Sequence, residues 1–547
     1  MVVHSPTRTV LLALAALVAL AIGAAGCSEI ERAECGANSD CLRPVGVGSI
    51  CLEDGYCSVP EVPSNCRLTF PTELWGQPQR GLQPLIIGVL YSNAYNAALE
   101  GVQAALLQSQ SRDVERQYRF AYVACDVGAG PGASDVERAG DFANFLVDTV
   151  GAQALIVLTG SPEARNVLQA VDFKNITVLT PTAASLILES QRRSATAPPP
   201  RSWFWQTLPR DSELLDRLAA EIRRAAVEDG AGPNPSVGFL IDGSLYTNTI
   251  ADALRAPFPD ADEAPIQAYS CGAVGDCSIP IGNAMNELVE LPGSLDYIIV
   301  LTEDANHVNR LIEHIETQLD TDPNYLEDSI LYLPGSAFGI VAFAGRGPDF
   351  AVWLPRFRGI RIASDLDSPS YPYFQSALEL AESAGTRSST LYSANAYDAA
   401  WLAQLGYAAA AIGAGGDRAG ITGQAVSDGM QRFLDPDGEE LVRPANGAVW
   451  DPLMAAISVN ASRRWHYRGA SGTLRYDLSN FVLESFSYAV WGVETREAED
   501  PRGVTTCAAG LLGTYFCTVD TYRCSFPEDD DCGDLEDPEE PGDPEEP

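Results

Sequence analysis

The sequence predicts an α/β protein built from two doubly wound parallel-sheet lobes and a small disulfide-rich N-terminal module. Three observations lead to this prediction. Apolar strands alternate with amphipathic helices over most of the 547 residues, the alternation occurs twice in the same order, and four cysteines near the N-terminus repeat a C-x5-C spacing. Continuous apolar strands separated by helices are typical of parallel sheets covered on both faces.

The N-terminus has the features of an export signal. Arg8 precedes an apolar run at residues 11–26, which is too short to span a bilayer stably and stops at Cys27. The stretch Ala24-Ala25-Gly26-Cys27 resembles the lipobox of bacterial lipoproteins. That resemblance implies removal of residues 1–26, a lipid on Cys27 and attachment to a bacterial membrane in the periplasm or at the cell surface, and Ser28 favours the outer membrane. The alternative is an ordinary signal cleaved at the same small residues.

The remaining twelve cysteines form an even set, which in an exported chain indicates disulfides. Zinc is the rival interpretation of the N-terminal group, but C-x2-C pairs and histidine partners are missing there, so we predict no metal site. The sequence leaves the pairing open. The disulfide candidates are Cys35, Cys41, Cys51, Cys57, Cys66, Cys125, Cys271, Cys277, Cys507, Cys517, Cys524 and Cys532.

Two parts of the chain match each other in strand order and length. One begins at LIIGVLYS and the other at SVGFLIDGS, and even Cys125 and Cys271 fall at corresponding positions. Each part provides one lobe, and in open parallel sheets ligands gather beyond the carboxyl ends of the strands. We expect the following division: module 27–66, connector 67–84, lobe 1 at 85–205 and 338–455, lobe 2 at 206–337 and 456–498, a Cys-containing segment 499–527, and a disordered acidic tail 528–547.

Composition and motifs exclude several classes of function. Asp and Glu number 74 against 35 Lys and Arg, and Lys174 is the only lysine, so a nucleic-acid surface is not expected. The sequence has no G-x-S-x-G elbow, H-E-x-x-H pair or phosphate loop. His307 and His314 lie seven apart on one predicted helix, a pattern more typical of a surface than of a metal pair. We therefore predict a protein that is not an enzyme and has no cofactor.

Residues 85–495 resemble the type I periplasmic binding proteins, especially the leucine/isoleucine/valine-binding branch that serves ABC transporters. The resemblance rests on ordered segments such as ALIVLTGSPEARNVLQAV, WFWQTLPRDSELLDRLAAEI and SANAYDAAWLAQLGYAAAA. It implies a ligand cleft between the lobes, lined by the loops that follow the strands. Carried over by position, the ligand-binding residues are Tyr91, Ser92, Gly160, Ser161, Thr182, Ala183, Ala184, Tyr246, Glu303 and Ser336.

Physical chemistry is consistent with an amino-acid-like ligand at these positions. Hydroxyls and helix-end N–H groups near Ser161 suit a carboxylate, and Glu303 or Asp242 suits an ammonium group. The alternative roles are structural: Tyr91 and Tyr246 pack the lobes, Ser161 caps a helix, and Asp398 caps the start of another. Ser336 is expected where the chain crosses between lobes.

The sequence therefore predicts a lipid-anchored receptor that closes over a small polar solute, an amino acid or a relative, and delivers it to ABC permease subunits. An alternative of a different class shares the fold: an outer-membrane lipoprotein that acts by protein contact, in the manner of activators of penicillin-binding proteins. A ligand sensor is the third possibility.

Overall fold

The computed structural model describes two compact units, residues 1–62 with 73–83 and residues 63–72 with 84–547. The signal 1–26, Cys27, Glu303, Ser336 and Cys532 lie outside the described residues. The structure describes residues 33–41, 44–58, 62–70, 74–75, 84–110, 120–128, 134–185, 188, 202–209, 211–243, 245–255, 258, 264–271, 277–291, 293–302, 305–327, 329–334, 353–381, 392–415, 420–441, 447–460, 462–478, 481–483, 485–495, 507–509, 514–525 and 533–534.

The first unit is a small module closed by two disulfides. It contains helix α1 (Asn38–Cys41) and an antiparallel pair, β1 (Ile50–Cys51) and β2 (Cys57–Ser58). The bonds Cys35–Cys51 and Cys41–Cys57 each join residues 16 apart. A segment this short cannot bury a sufficient core, so the cross-links stabilise it by restricting its unfolded state. The predicted disulfide module is confirmed.

The first part of the module ends at Val62, earlier than we predicted, and the predicted connector is divided between the two units. Cys66 belongs to the second unit, where it is bonded to Cys125. Strand β3 (Leu68–Phe70), inside the predicted connector, pairs antiparallel with a strand of the first lobe. These boundaries are wrong because β3 adds an edge strand to the first sheet.

The first lobe contains a six-stranded sheet in the order β3-β5-β4-β6-β7-β8, parallel except for β3. Its core strands are buried on both faces, as their continuous apolar sequences predict. Helices α3 and α4 pack against each other, and α2 packs against later helices of the same lobe. The elements are β4 (Leu85–Tyr91), α2 (Asn96–Gln110), β5 (Phe120–Asp126), α3 (Asp135–Asn144), β6 (Ala154–Leu158), α4 (Ser161–Ala170), β7 (Thr177–Thr180) and β8 (Trp203–Gln206).

The second lobe has a nine-stranded mixed sheet. Five strands, β10-β9-β11-β12-β13, are parallel, and the order continues antiparallel through β18, β20 and β19, with β21 on β20. Its elements are α5 (Asp211–Glu228), β9 (Val237–Ile241), α6 (Leu245–Arg255), β10 (Ile266–Ala268), α7 (Ser278–Val289), β11 (Tyr297–Leu301), α8 (Ala305–Leu319), β12 (Ile330–Leu333), β13 (Phe357–Ala363), β18 (Ser485–Thr495), β19 (Cys507–Ala509), β20 (Thr514–Ser525) and β21 (Gly533–Asp534).

Between β13 and β18 the chain returns to the first lobe. Its central helix, α10, is buried on all sides from Ser393 to Ala411 and packs on α2. A helix that is apolar all round is typical of the interior of a large domain. The elements of this return are α9 (Tyr371–Ala381), α10 (Ser393–Gly413), α11 (Gly423–Gln431), β14 (Glu439–Leu441), α12 (Gly447–Val459), β15 (Trp465–Tyr467), β16 (Tyr476–Asp477) and β17 (Val482–Leu483).

The predicted lobe boundaries are wrong at three places. Strand β13 lies within the predicted lobe 1 but pairs with β12 in the second sheet, because its apolar residues complete that sheet. Residues 465–483 were expected in lobe 2, yet Tyr476 and Phe481 pack on Trp205 of β8. The predicted C-terminal segment and tail contribute β19, β20 and β21 to the second sheet.

The chain therefore crosses between lobes after β8, after β13 and after β17. The second crossing falls at residues 364–370, so the crossing expected near Ser336 is misplaced. The carbonyl of Thr207 at the first crossing accepts a 2.9 Å hydrogen bond from Asn395 Nδ2. At the second, the Ser368 hydroxyl donates to the Gly469 carbonyl at 2.5 Å and the Ser370 hydroxyl to that of Arg468.

Asp398 in α10 fixes the loop that meets the second crossing. Its fully buried carboxylate accepts hydrogen bonds from the Tyr467 hydroxyl (3.0 Å), the Ala470 N–H (2.8 Å), and the N–H and hydroxyl of Ser471 (2.7 and 2.6 Å). Burial raises the pKa of Asp398 to about 6, and the hydrogen bonds from Ser471, Ala470 and Tyr467 oppose this rise. The expected helix-start cap is wrong, because Asp398 lies inside the helix and binds a distant loop.

We expect Asp398→Asn to lower the free energy of unfolding at pH 7.5 by about 3 kcal/mol, because an amide N–H2 would face N–H and O–H donors. Denaturant titrations measure this loss. The pKa of Asp398 is about 6 in the folded chain, above its ordinary value of 3.8. The folded chain therefore takes up this proton at a higher pH than the unfolded chain does, and the wild type gains stability as pH falls from 7 to 4. That gain is absent from the variant.

The exposed Asp252 on α6 provides the matched control, because Asp252→Asn keeps both the stability and its pH dependence. Equal unfolding curves for wild type and Asp398→Asn at every pH would contradict the assigned role.

Candidate functional site

The predicted first-lobe residues meet at the carboxyl edge of the first sheet. Strands β4, β6 and β7 are parallel neighbours, so their ends lie side by side. The Ser92 N–H donates to the Leu158 carbonyl at 3.2 Å, and the Thr182 hydroxyl donates to the Thr159 carbonyl at 2.9 Å. The structure thus brings the Tyr91-Ser92 turn, the start of α4 and the TPTAAS loop together.

The TPTAAS loop is braced by its own polar groups. The Thr182 hydroxyl donates to the carbonyl of Thr159, the residue that follows β6, and the Ala183 carbonyl accepts a 3.0 Å bond from Gln206 Nε2. Ala184 is buried. These contacts give Thr182 and Ala183 a structural role, and ligand contact at these positions stays a prediction.

The start of α4 already has a carboxylate beside it. Gly160 is the N-cap and Ser161 the first helical residue, with no side-chain capping bond, so Ser161 does not cap the helix. A Cβ on Gly160 would lie only 2.9 Å from Glu163 Oε2. Burial raises the pKa of Glu163, a hydrogen bond from its own N–H opposes the rise, and the charge of Asp135 adds to it. A ligand carboxylate here would meet Glu163.

Aromatic side chains line the same edge. Tyr91 is partly buried, and burial, with a smaller contribution from Asp126, raises its pKa. The rings of Tyr95 and Tyr392 are 6.0 Å apart, and the Tyr95 hydroxyl lies 3.9 Å from the position of a Cβ on Gly160. We did not predict Tyr95 or Tyr392 as site residues, although Tyr95 directly follows the predicted turn. The fold places Tyr392, from a distant segment, beside it.

The second lobe offers a matching edge after β9, β10 and β11. Asp242 follows β9, and its carboxylate accepts a 2.7 Å bond from the Thr247 hydroxyl in α6. Gly243 adopts φ 69°, and a Cβ there would lie 3.0 Å from the Tyr269 carbonyl, so glycine is required for this close approach. Tyr246 lies in α6 with its side chain outside the described set, as are Glu303 and Ser336, and their ligand contacts stay predictions.

Histidine 307 is held in this second-lobe edge. Its Nδ1 lies 3.3 Å from the Tyr269 hydroxyl and 3.2 Å from that of Thr302. Its Nε2 lies 3.5 and 3.3 Å from the sulfurs of the Cys271–Cys277 disulfide. The expected surface pattern is wrong for this residue, because the ring is only partly exposed and contacts four side chains.

Four disulfides are formed among the described cysteines, Cys35–Cys51, Cys41–Cys57, Cys66–Cys125 and Cys271–Cys277. Cys507 and Cys517 are register partners on β19 and β20, and Cys524 also lies on β20. None of the helices in the described parts of the chain combines the length and the apolar composition that a membrane span requires.

Comparison with known proteins identifies the fold. No family model matches the sequence, and neither does any curated protein. A solute-binding protein of an ABC transporter from Rhodopseudomonas palustris HaA2, in complex with p-hydroxybenzoic acid, superposes with a TM-score of 0.53 at 12% identity, covering 81% of this chain and 98% of that one.

Two further solved structures agree. A type 1 periplasmic binding protein from Bordetella pertussis Tohama I gives a TM-score of 0.51 at 13% identity, covering 76% of this chain and 98% of that one. A leucine-binding protein from Thermotoga maritima MSB8 gives 0.50 at 13% identity, covering 75% and 95%. The chain has the fold of the type I periplasmic binding proteins, as predicted.

We expect Glu163→Gln to raise the stability of the protein at pH 7.5 and to reduce its gain on acidification. The pKa of Glu163 is raised in the folded state, so its ionised form opposes folding and protonation relieves this cost as pH falls through the folded pKa. Urea unfolding from pH 4 to 8 measures the effect. The exposed Glu287 on α7 gives the control, because Glu287→Gln keeps the wild-type profile. A variant less stable than wild type at pH 7.5 would contradict this assignment.

Proposed function

We propose that the protein is a lipid-anchored, extracytoplasmic solute-binding protein that captures a small carboxylate, an amino acid or a relative with an apolar or aromatic body, for an ABC transporter. The observation that carries the proposal is the convergence of three strand ends at one edge of the first sheet, beside a helix N-terminus. Parallel α/β sheets bind ligands at such edges. The three solved structures above bear names of binding proteins, and two name p-hydroxybenzoic acid or leucine.

The local chemistry supports a carboxylate with an apolar body. The first N–H groups of α4 and its positive dipole end favour an anion next to Ser161. Tyr91, Tyr95 and Tyr392 offer ring faces on which an apolar or aromatic body can pack. Asp242 of the second lobe is the described carboxylate that an ammonium group would meet after closure.

Glu163 sets a condition on this binding mode. Its carboxylate lies at the same helix end, so a bound anion must either displace it or bind while it is protonated. Affinity for a carboxylate ligand therefore increases as the pH falls, and the neutral variant Glu163→Gln binds more tightly than wild type at neutral pH.

The hydrogen bonding of the same first-lobe edge also favours a second function. The Glu163 carboxylate lies at the end of the helix. The Thr182 hydroxyl and the Ala183 carbonyl are already hydrogen-bonded within the first lobe. An edge satisfied in this way suits an outer-membrane lipoprotein that keeps the fold and acts by protein contact. Solute binding distinguishes the two functions, because the second requires none. A sensor would share the solute site and differ only in its partner.

Thermal unfolding of the signal-free chain against amino acids, hydroxybenzoates, short peptides and sugars tests the proposal. A ligand at 100 times its dissociation constant adds about 2.7 kcal/mol of stability. We expect one carboxylate to raise the melting temperature of the wild type. The rise should be smaller in Tyr95→Ala and larger in Glu163→Gln. Phe173→Ala, which removes an exposed aromatic ring elsewhere, is the control with a wild-type response. If no compound of the panel changed the melting temperature, the protein-contact function would be favoured.

The lipid anchor is tested separately. Cys27→Ala removes the thiol that would take up the lipid, so we expect the exported protein to leave the membrane fraction and to lose incorporation of radiolabelled palmitate. Cys27→Ser is a closer steric match and gives the same result if the thiol is essential. A wild type that is found in the soluble fraction after export and takes up no palmitate would show that an ordinary export signal is present instead.

A further inference from the structure

Three side chains with soft ligand atoms meet at the carboxyl edge of the second sheet. The sulfurs of Cys271 and Cys277 and an imidazole nitrogen of His307 all lie within 4.8 Å of one another. Cys271 follows β10, Cys277 immediately precedes α7, and His307 lies in the first turn of α8. Three separate elements therefore supply the group.

The two distances from the His307 nitrogen to the cysteine sulfurs match those between nitrogen and sulfur ligands of a tetrahedral zinc site. His307 Nε2 is 3.5 Å from Cys271 Sγ and 3.3 Å from Cys277 Sγ. Zinc bonds of about 2.3 Å to sulfur and about 2.0 Å to nitrogen, at tetrahedral angles, separate the two ligand atoms by roughly 3.5 Å. The nitrogen thus already stands at ligand distance from both sulfurs. Once the bond between the sulfurs opens, the two side chains have to move apart until the sulfurs are about 3.8 Å from each other.

The surroundings of His307 orient its ring toward the sulfurs. The hydroxyls of Tyr269 and Thr302 lie 3.3 and 3.2 Å from Nδ1, and both residues are buried. When Nδ1 carries the ring proton and donates it to these oxygens, Nε2 is unprotonated and its lone pair faces the sulfurs. Metal-binding histidines are held in this way by partners on the other nitrogen. A disulfide by itself needs no such imidazole.

We propose that Cys271, Cys277 and His307 form a redox-gated site for a thiophilic metal ion, for which Zn²⁺ is the best match. A dithiol reductant opens the disulfide by transferring two electrons and two protons, and is itself oxidised to a disulfide. The two thiols then release their protons as both sulfurs and Nε2 bind the ion, with water in the fourth position. A disulfide oxidant then accepts the two electrons, takes up two protons from water and becomes a dithiol, which restores the Cys271–Cys277 bond and releases the ion.

This site departs from our sequence-based prediction of no metal, and it does not depend on the proposed solute binding. The other cysteine group, Cys35, Cys41 and Cys57, lies equally close together but has no nitrogen ligand among its described members. Its cysteines belong to two disulfides, Cys35–Cys51 and Cys41–Cys57.

The test is Co²⁺ binding to the full exported chain after reduction with dithiothreitol. Tetrahedral Co²⁺ with thiolate ligands gives visible d–d bands and a near-ultraviolet charge-transfer band, and Zn²⁺ should abolish both by displacement. We expect one Co²⁺ per reduced chain and none in the oxidised chain. His307→Ala and His307→Gln should each lose the bands, and Cys271→Ser with Cys277→Ser should lose them while keeping every other cysteine.

His314→Ala is the matched control, because His314 lies on the same helix, is partly buried and contacts Asn286 and Tyr325 instead of sulfur. It should bind Co²⁺ as wild type does. Tyr269→Phe with Thr302→Val should weaken Zn²⁺ binding about ten-fold or more, measured against a chromophoric chelator, because the ring loses its orienting partners. Circular dichroism establishes that each variant is folded.

Three outcomes would overturn the proposal. The first is a reduced wild type, with alkylation of Cys271 and Cys277 confirmed by mass spectrometry, that takes up no Co²⁺. The second is a signal that persists without Cys271 and Cys277 or in folded His307→Gln, which would place the ion elsewhere. The third is a Cys271–Cys277 bond that resists dithiol reduction in the folded protein, because the binding form would then be out of reach.

Discussion

The two-lobed structure depends on how one buried helix holds the segments that cross between the lobes. Near the start of α10, Asn395 binds the first crossing and Asp398 binds the loop at residues 468–473, which in turn meets the second crossing. A buried carboxylate is costly unless each oxygen is hydrogen-bonded, and Asp398 receives four donors. The same contacts that offset its burial fix the path of the returning chain.

Under the proposed function, the hydrogen bonds at the crossings mark the boundary between the part of the molecule that moves and the part that does not. Hydrogen bonds at the first two crossings are made to backbone carbonyls, including those of Thr207 and Gly469, so they anchor the chain at these two places. Under the proposed function, lobe closure changes the backbone angles between these anchors and the second sheet, as hinge residues do in other two-lobed receptors. In that motion the core around α10 would stay packed while the second sheet turns.

The two strand-end edges differ in chemistry although the halves of the chain share a pattern. In the first lobe, Cys125 is bonded back to Cys66, and Glu163 lies at the helix end. In the second, the corresponding Cys271 is bonded to Cys277 six residues on, and the two sulfurs lie 3.5 and 3.3 Å from His307 Nε2. The matching cysteine positions thus have different partners, so one edge carries a proposed carboxylate site and the other a proposed sulfur and imidazole site.

The sequence by itself determined the class of fold, the number of lobes, the stapled module and the first-lobe edge, because periods of two and 3.6 residues and the order of strands and helices are local signals. It did not determine to which sheet β13 belongs, which cysteines pair, or what Asp398 and His307 contact. Those outcomes depend on residues far apart in the chain: Asp398 and Ser471 are 73 apart, and His307 and Cys271 are 36 apart. No local sequence pattern specifies contacts between residues so far apart, so only the packing of the completed sheets decided them.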